Sequence, residues 1–250
     1  MAGTDRAISV LRLFTLEKPC WTVEEAAAAL AVSAASAYRY FAALVEAGLL
    51  TSSSSALYVL GPAIIQYDRQ IQLTDPMLQI ARPIMDEVIR FAPDESTVLL
   101  CRIFRDKVLC VHQVANPGGQ PTVSYERGRP MPLFVGATSK IILAYLAARD
   151  LKSLYESNSE GIEKAKLGAD WNEFKAALSA IRKAGHVTTR SEVDPERIGV
   201  AAPILDDRRA IGSLSFVIPS AEERRAQRLV PLVVAGAREI EAGMRALNGG

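Results

Sequence analysis

Three residues with metal-binding chemistry lie close together in the sequence. Cys110 and His112 are separated by one residue on a predicted strand, and Cys101 lies on the strand before it. A closed zinc site needs four ligands, and no carboxylates lie nearby. The pattern therefore favours a half-buried strand over a metal site. The odd number of cysteines and the lack of a C-x-x-C pair favour free thiols in a reducing cytoplasm.

A second group of residues could hold an anion. The small residues at 136–140, GATSK, lead directly into a predicted helix. Free N–H groups at a helix start attract a carboxylate. The alternative is an ordinary helix cap by Thr138 or Ser139. Glu192 and Asp194 lie in a charged segment that is expected to be a solvated loop. Glu192 is expected to anchor this loop, because its own charge would repel an anion.

No enzyme signature accompanies these residues. The sequence has no G-x-S-x-G, no P-loop and no dinucleotide-binding fingerprint. We therefore expect no catalytic residues, no cofactor and no metal. The N-terminus does not resemble a signal peptide, and the longest apolar run, 141–148, is far shorter than the ~20 residues of a membrane span.

The helices and hairpin predicted within residues 1–62 are suited to DNA binding. Apolar spacing predicts a first helix over 6–17, and the T-x-x-E capping box at Thr22 starts a second helix. Ser33 can cap a third helix that stops at Gly48. Short apolar runs on both sides of a serine stretch then predict a hairpin. Three short helices and a hairpin are typical of a winged helix-turn-helix.

The charge of this region is low for a DNA-binding unit. The 250 residues carry a net charge of +1, with 49% hydrophobic and 23% charged residues, an ordinary globular composition. Residues 1–62 hold four basic and five acidic residues, a net charge of −1. Phosphate binding must then depend on Arg39, hydroxyls, backbone N–H groups and helix N-termini, or on a dimer that doubles weak contacts.

Residues 63–74 predict a separate amphipathic helix between Gly61-Pro62 and Asp75-Pro76. Ile64, Tyr67 and Ile71 share one face of it. We expect this face to pair with its copy in a two-fold dimer, and the alternative is packing on the same chain's second domain.

The rest of the chain alternates strand pairs and long helices, which predicts an α+β domain with an antiparallel sheet flanked by helices. Pro83 is expected to kink a helix that follows 76. The predicted strands are Thr97–Ile103, Val108–Val114, Val187–Arg190, Val200–Leu205 and Ala210–Val217. The predicted helices are Thr138–Ala148, Trp171–Ala184 and Ala221–Leu247.

Nearly the whole chain resembles the IclR family of bacterial transcription regulators, in the right order. The similar stretches are RAISVLRLF, AYRYFAALVEAGLL, YVLGP, RGRPMPLFVGATSKIILAYLA and KAGHVTTRSEVDPERIGVAAPILDDRRAIGSLSFVIPS. The resemblance implies a winged helix-turn-helix at 1–62, a linker and dimerisation helix at 63–75, and a GAF-like effector-binding domain at 76–250. The family often has a lysine at the start of the recognition helix, where this chain has Ala34. It often has a basic residue in the wing, where this chain has serines, and a histidine at the position of Phe134. Thr189 and Gly199 replace the pocket aspartate and cysteine of some members.

The sequence thus predicts a regulator whose affinity for a near-palindromic operator is switched by a small organic acid with an aromatic or longer body. A homodimer, or a tetramer formed from two such dimers, is expected. Two alternatives are an enzyme or carrier domain fused to the helix-turn-helix, and a protein-interaction module. The predicted DNA contacts are Ser33, Ala35, Ser36, Tyr38 and Arg39. The predicted effector site, with room left by Thr189 and Gly199, consists of Phe134, Gly136, Ala137, Thr138, Ser139, Thr189, Gly199, Ser215 and Val217.

Overall fold

The structure, a computed structural model, describes residues 3–53, 56–116 and 123–248. The chain is built as two compact units, Met1–Asp75 and Pro76–Gly250. The further division of the first unit at residue 62 stays a prediction. In the described part of the chain no single helix is long and apolar enough to cross a membrane, and only the bent pair Val23–Ala29 and Ala34–Glu46 passes on length and composition.

The first unit contains the predicted three helices and hairpin. Val10, Ala37 and Phe41 are buried in its core, and the Phe41 and Tyr58 rings meet edge to face with centroids 4.9 Å apart. The elements are α1 (Gly3–Leu11), α2 (Val23–Ala29), α3 (Ala34–Glu46), β1 (Leu50–Ser52), β2 (Tyr58–Leu60) and α4 (Ala63–Thr74). The middle of the serine stretch, 54–55, lies outside the described residues.

Two local features of this unit follow from side-chain hydrogen bonds. The capping box of α2 is present, with Thr22 and Glu25 each accepting the other's backbone N–H. The prediction that the first helix runs to residue 17 is wrong, since α1 ends at Leu11. The Trp21 indole donates to the Leu13 carbonyl at 2.9 Å, which holds the chain in a turn there.

The second unit is a six-stranded antiparallel sheet between two layers of helices. The strand order is β5-β4-β3-β8-β7-β6. The strands are β3 (Thr97–Phe104), β4 (Lys107–Ala115), β5 (Pro130–Pro132), β6 (Val187–Arg190), β7 (Arg197–Asp206) and β8 (Arg209–Pro219). The helices are α5 (Pro76–Val88), α6 (Ala137–Leu143), α7 (Ala148–Lys164), α8 (Trp171–Ala184) and α9 (Glu223–Asn248).

Alternating residues of the central strands fill two separate cores. Leu100 and Phe216 pack with α5 and α9 on one face, whereas Leu99 and Ala201 pack with α6 and α8 on the other. This is the period of two expected for a sheet covered on both faces. Pro83 lies inside α5, which runs unbroken from Pro76 to Val88.

Candidate functional site

The exposed face of α3 carries the predicted DNA contacts. Ala37 and Phe41 point into the core, whereas Ser33, Ala35, Tyr38 and Arg39 are exposed and Ser36 is half-buried. No acidic residue lies in the first turn of this helix. A helix of this length with one solvent-facing side has the dimensions that fit the major groove.

Two of these residues are already engaged within the protein. The Ser33 hydroxyl caps α3 by accepting the Ser36 N–H at 3.3 Å, and the Tyr38 hydroxyl donates to Glu24 at 2.7 Å. That hydrogen bond lowers the pKa of Glu24 and raises the pKa of Tyr38. Arg39 reaches only the Ser36 hydroxyl, at 3.5 Å, among the contacts described. Arg39 is therefore the residue best placed to contact DNA.

The second unit contains a small space between α6 and the sheet, which we call the inner cavity. Its volume is about 30 Å³, little more than one water molecule needs. Thr189, Gly199 and Val217 are paired in register across β6, β7 and β8 and form one row of its wall. The full lining is Tyr125, Gly136, Ala137, Thr138, Thr189, Glu192, Val193, Asp194, Arg197, Gly199 and Val217.

Six of the nine predicted effector residues thus line one cavity, and three lie elsewhere. Ser215 is fully buried behind the wall, where its hydroxyl bonds Thr138 at 2.8 Å. Ser139 bonds the Tyr125 hydroxyl at 2.7 Å. Phe134 lies outside this cavity and lines a separate groove.

The expected room around Gly199 is not found. A Cβ on Gly199 would lie 3.0 Å from the Ala137 Cβ and 3.3 Å from the Thr189 hydroxyl oxygen. Gly199 therefore allows β7 to approach α6 closely, and the space that its missing side chain leaves is filled.

The N–H groups expected to hold a ligand carboxylate are also occupied. The Gly136 N–H donates to Glu192 Oε2 at 3.0 Å, and the Ala137 N–H donates to the Thr189 hydroxyl at 3.0 Å. Lys140 Nζ donates to Glu192 Oε1 at 2.7 Å and to the Ala165 carbonyl at 2.7 Å. Glu192 is thus held by α6 rather than solvated, and its carboxylate stands where an anion was expected.

Sequence reasoning missed the residues that close the inner cavity. Tyr125 donates to the Val135 carbonyl at 2.7 Å, and burial raises the pKa of its phenol. The Asp194 carboxylate accepts hydrogen bonds from the Ser124 N–H and hydroxyl. Arg197 donates to the Glu95 carbonyl at 2.8 Å. The contacts of Asp194 and Arg197 join segments 70 and 102 residues apart in sequence, so no local pattern could have shown them.

A wider groove, which we call the outer groove, lies on the other side of Glu192. Its volume is about 510 Å³. A Cβ on Gly161 would lie 2.8 Å from the Phe134 ring, so this glycine lets the ring pack against α7. The lining is Phe134, Val135, Gly161, Lys164, Ala165, Lys166, Arg190, Ser191 and Glu192.

The face of α4 that was expected to pair with its copy is exposed. None of the helix's residues is buried, and Ile71 of this face is 54% exposed. Ile64 and Tyr67 are exposed as well. Contiguous apolar side chains on a surface helix mark an interaction surface.

Two of the three cysteines, Cys101 and Cys110, lie in the core of the second unit, whereas Cys20 lies in the first unit and is half-buried. Cys101 and Cys110 face each other across β3 and β4, and burial raises the pKa of Cys101. Burial lowers the pKa of His112, and the charge of Arg82 in α5 lowers it further, whereas Asp86 of the same helix opposes the shift. Within the described residues, no three His, Cys, Asp or Glu side chains gather as metal ligands.

Comparisons with known proteins agree with this architecture. Residues 73–242 match the family model "Bacterial transcriptional regulator IclR C-terminal", and residues 3–54 match the IclR helix-turn-helix domain. A chain that matches both of these models is a transcription regulator and not an enzyme. The chain belongs to the IclR family.

One curated relative and several solved structures are similar along most of their length. The HTH-type transcriptional regulator KipR of Bacillus subtilis (strain 168) is 25% identical over 213 residues, which cover 83% of this chain and 82% of KipR. An IclR regulator from Silicibacter sp. TM1040 has a TM-score of 0.80 at 17% identity, covering 96% of this chain and 95% of that one. An IclR homologue from Microbacterium hydrocarbonoxydans, crystallised with 4-hydroxybenzoate, has a TM-score of 0.74 at 17% identity, covering 98% and 100%.

Proposed function

We propose that this chain binds a near-palindromic operator through α3 as a dimer, and that a small organic acid bound beside α6 changes its operator affinity. The observation that carries the proposal is the convergence of six predicted residues from α6, β6, β7 and β8 on one cavity. Thr138 and Thr189 are among them, and a few placed polar groups are typical of small-molecule sites.

The chemistry of the site favours a carboxylate ligand. The groups around Glu192 are hydrogen-bond donors: the Gly136 N–H and the Lys140 ammonium, whose side chain is only 5% exposed. Donors of this kind bind a carboxylate through charge-assisted hydrogen bonds. The structural neighbour crystallised with 4-hydroxybenzoate supports an aromatic acid as the first ligand to test.

The assembly is proposed from α4. An exposed apolar face on a helix of this length needs a partner, because an isolated short helix is marginal in water. A two-fold dimer would cover the face and present two copies of α3 to two half-sites. A tetramer formed from two such dimers would use other surfaces.

The experiment is a fluorescence-anisotropy titration of the protein with DNA from upstream of its own gene, with and without 4-hydroxybenzoate. We expect specific binding, competed by the same fragment but not by a scrambled one, and a change in affinity when an effective acid is present. Equal affinity for specific and scrambled DNA would contradict operator binding. A panel of carboxylic acids without any effect on affinity, or on the melting temperature, would contradict effector control.

A further inference from the structure

Glu192 forms a wall that the inner cavity and the outer groove share. One carboxylate oxygen accepts the Gly136 N–H, and the other accepts Lys140 Nζ, which also bonds Ala165 at the edge of the outer groove. This carboxylate is the only group on the described residues that lies between the two spaces and pairs with the buried ammonium.

The two spaces differ in what they can hold. Small-molecule sites usually measure about 300–1,000 Å³, a range that includes the outer groove at about 510 Å³ but not the inner cavity at about 30 Å³. The Glu192 carboxylate occupies the Gly136 and Lys140 donors, so an organic acid in the outer groove cannot bond them unless Glu192 moves.

We propose that Glu192 is a tethered carboxylate that holds the effector's place, and that an organic acid binds by exchanging with it on Lys140. This inference rests on the proposed function, because it assigns the mode of entry to the same site. The ligand's carboxylate takes the hydrogen bonds of Glu192, and Glu192 turns toward solvent. The two spaces then merge into one.

The charge balance favours an exchange over a simple addition. The Lys140 side chain is 5% exposed, and an ammonium buried to this extent requires an anionic partner. One carboxylate enters as another leaves, so the ammonium stays paired throughout. Glu192 is 25% exposed and can reach water without unfolding of its surroundings.

The rim of the outer groove can receive the displaced side chain. Lys164 and Arg190 line it and already pair with Glu160 and Glu223. Lys166 also lines it, is exposed, and forms no ion pair with the other described residues. The rim therefore offers a positive charge to the released carboxylate. The exchange selects anions over neutral molecules of the same shape.

The test is a chemical rescue with acetate on the full chain. Glu192→Ala removes the tethered carboxylate and leaves Lys140 unpaired, so the variant should melt below the wild type. Sodium acetate should raise its melting temperature in a saturable manner, whereas sodium chloride and acetamide should not. At ten times the acetate dissociation constant, the ratio of folded to unfolded protein should rise about tenfold.

Three further proteins make the result specific. The wild type should respond only at much higher acetate concentration, because its own tethered carboxylate competes for Lys140. Glu192→Gln should also respond weakly, since the amide fills the same space. The double variant Lys140→Met/Glu192→Ala should lose the response, because the ammonium is gone.

Each outcome decides the proposal. Absence of a saturable acetate response in Glu192→Ala would overturn it, as would an equal response in the double variant. If Glu192→Ala does not fold in chloride, its refolding is measured at increasing acetate concentration instead. Glu192→Asp, whose shorter carboxylate keeps the charge, must then respond to acetate more than the wild type. Loss of rescue with intact operator binding and effector response overturns only the exchange. Rescue without operator binding overturns only the proposed function.

Discussion

The hydroxyl pair between α6 and β8 gives a stability prediction that the structure makes quantitative. Thr138 and Ser215 are 2% and 0% exposed, and their hydroxyl oxygens are 2.8 Å apart. Thr138→Val conserves shape but leaves the Ser215 hydroxyl buried without this partner, and Ser215→Ala does the reverse. Each single change should lower the free energy of unfolding by about 1–3 kcal/mol, the cost of an unsatisfied buried group. The double variant removes both groups and should cost clearly less than the sum, with a coupling of about 1–2 kcal/mol.

The measurement is urea unfolding of the full chain, followed by a probe confined to the second unit. Trp171 lies in α8 and Trp21 in the first unit, so a Trp21→Phe background leaves Trp171 fluorescence as a local reporter. Unchanged urea slopes would show that the variants alter stability alone. A coupling energy indistinguishable from zero would refute the hydrogen bond as a contributor to stability. Ser215 would then not stabilise Thr138 in the wall of the inner cavity.

Three other changes test the remaining surfaces. Arg39→Ala should weaken operator binding by about 1–3 kcal/mol if Arg39 contacts a base, measured by anisotropy at several salt concentrations. The control variant Arg149→Ala, at an exposed arginine of the second unit, should bind the operator as the wild type does. Equal losses in both variants would refute the assignment of α3 as the DNA-contacting helix. Ile71→Glu should dissociate the proposed dimer in sedimentation velocity, whereas Gln66→Glu on the opposite side of α4 should not; a dimer that persists in both would place the interface elsewhere. Gly136→Ala should lower the free energy of unfolding by about 1–3 kcal/mol, because Gly136 has φ of +78° and a Cβ there would lie 2.7 Å from a valine methyl. Wild-type stability would refute that strain.

The bounds of helices and strands could be predicted wherever the sequence carried a local, periodic pattern. The ranges 63–74, Trp171–Ala184 and Val187–Arg190 match the observed elements end to end. Each is bounded by a strong signal, such as Gly61-Pro62 before the first and Gly185 after the second, where φ is +70°. Sheet pairing then followed from short turns between adjacent strands, as at Arg105, which takes a left-handed φ of +58°.

The sequence was insufficient where polar composition hid an element. Residues 148–164 form α7, but only Leu151 and Ile162 of that helix are buried, so an apolar period is almost absent. Asn158 departs from helical geometry in its middle, and such polar and small residues are typical of loops. The three-residue strand β5 is too short to produce alternation. The predicted helix at 138 also ends early, at Leu143 rather than Ala148.

The sequence predicted six residues that line the inner cavity, but it did not predict that the N–H groups at the start of α6 are occupied. The register that aligns Thr189, Gly199 and Val217 follows from strand order, which the sequence supports. Whether the N–H groups of α6 are free depends on Glu192, which lies 52 residues further along the chain from Lys140. A charged residue in a loop gives no local sign that it folds back onto a buried lysine. The expectation of a solvated segment is wrong for Glu192, whereas its expected role as a loop anchor agrees with its hydrogen bonds to Gly136 and Lys140.

The first unit explains why assembly matters for DNA binding. Ser33 is used to cap α3, and the Tyr38 hydroxyl is committed to Glu24, so Arg39 supplies the one positive charge of the helix. With so few phosphate contacts in one copy, non-specific affinity must be low and weakly dependent on salt. Two copies held at the spacing of one helical turn, about 34–36 Å, would add their binding free energies. In the proposed dimer, operator affinity is therefore set by the geometry of the pair more than by any single contact. An effector needs only to change that geometry to act as a switch, and it can do so without touching α3.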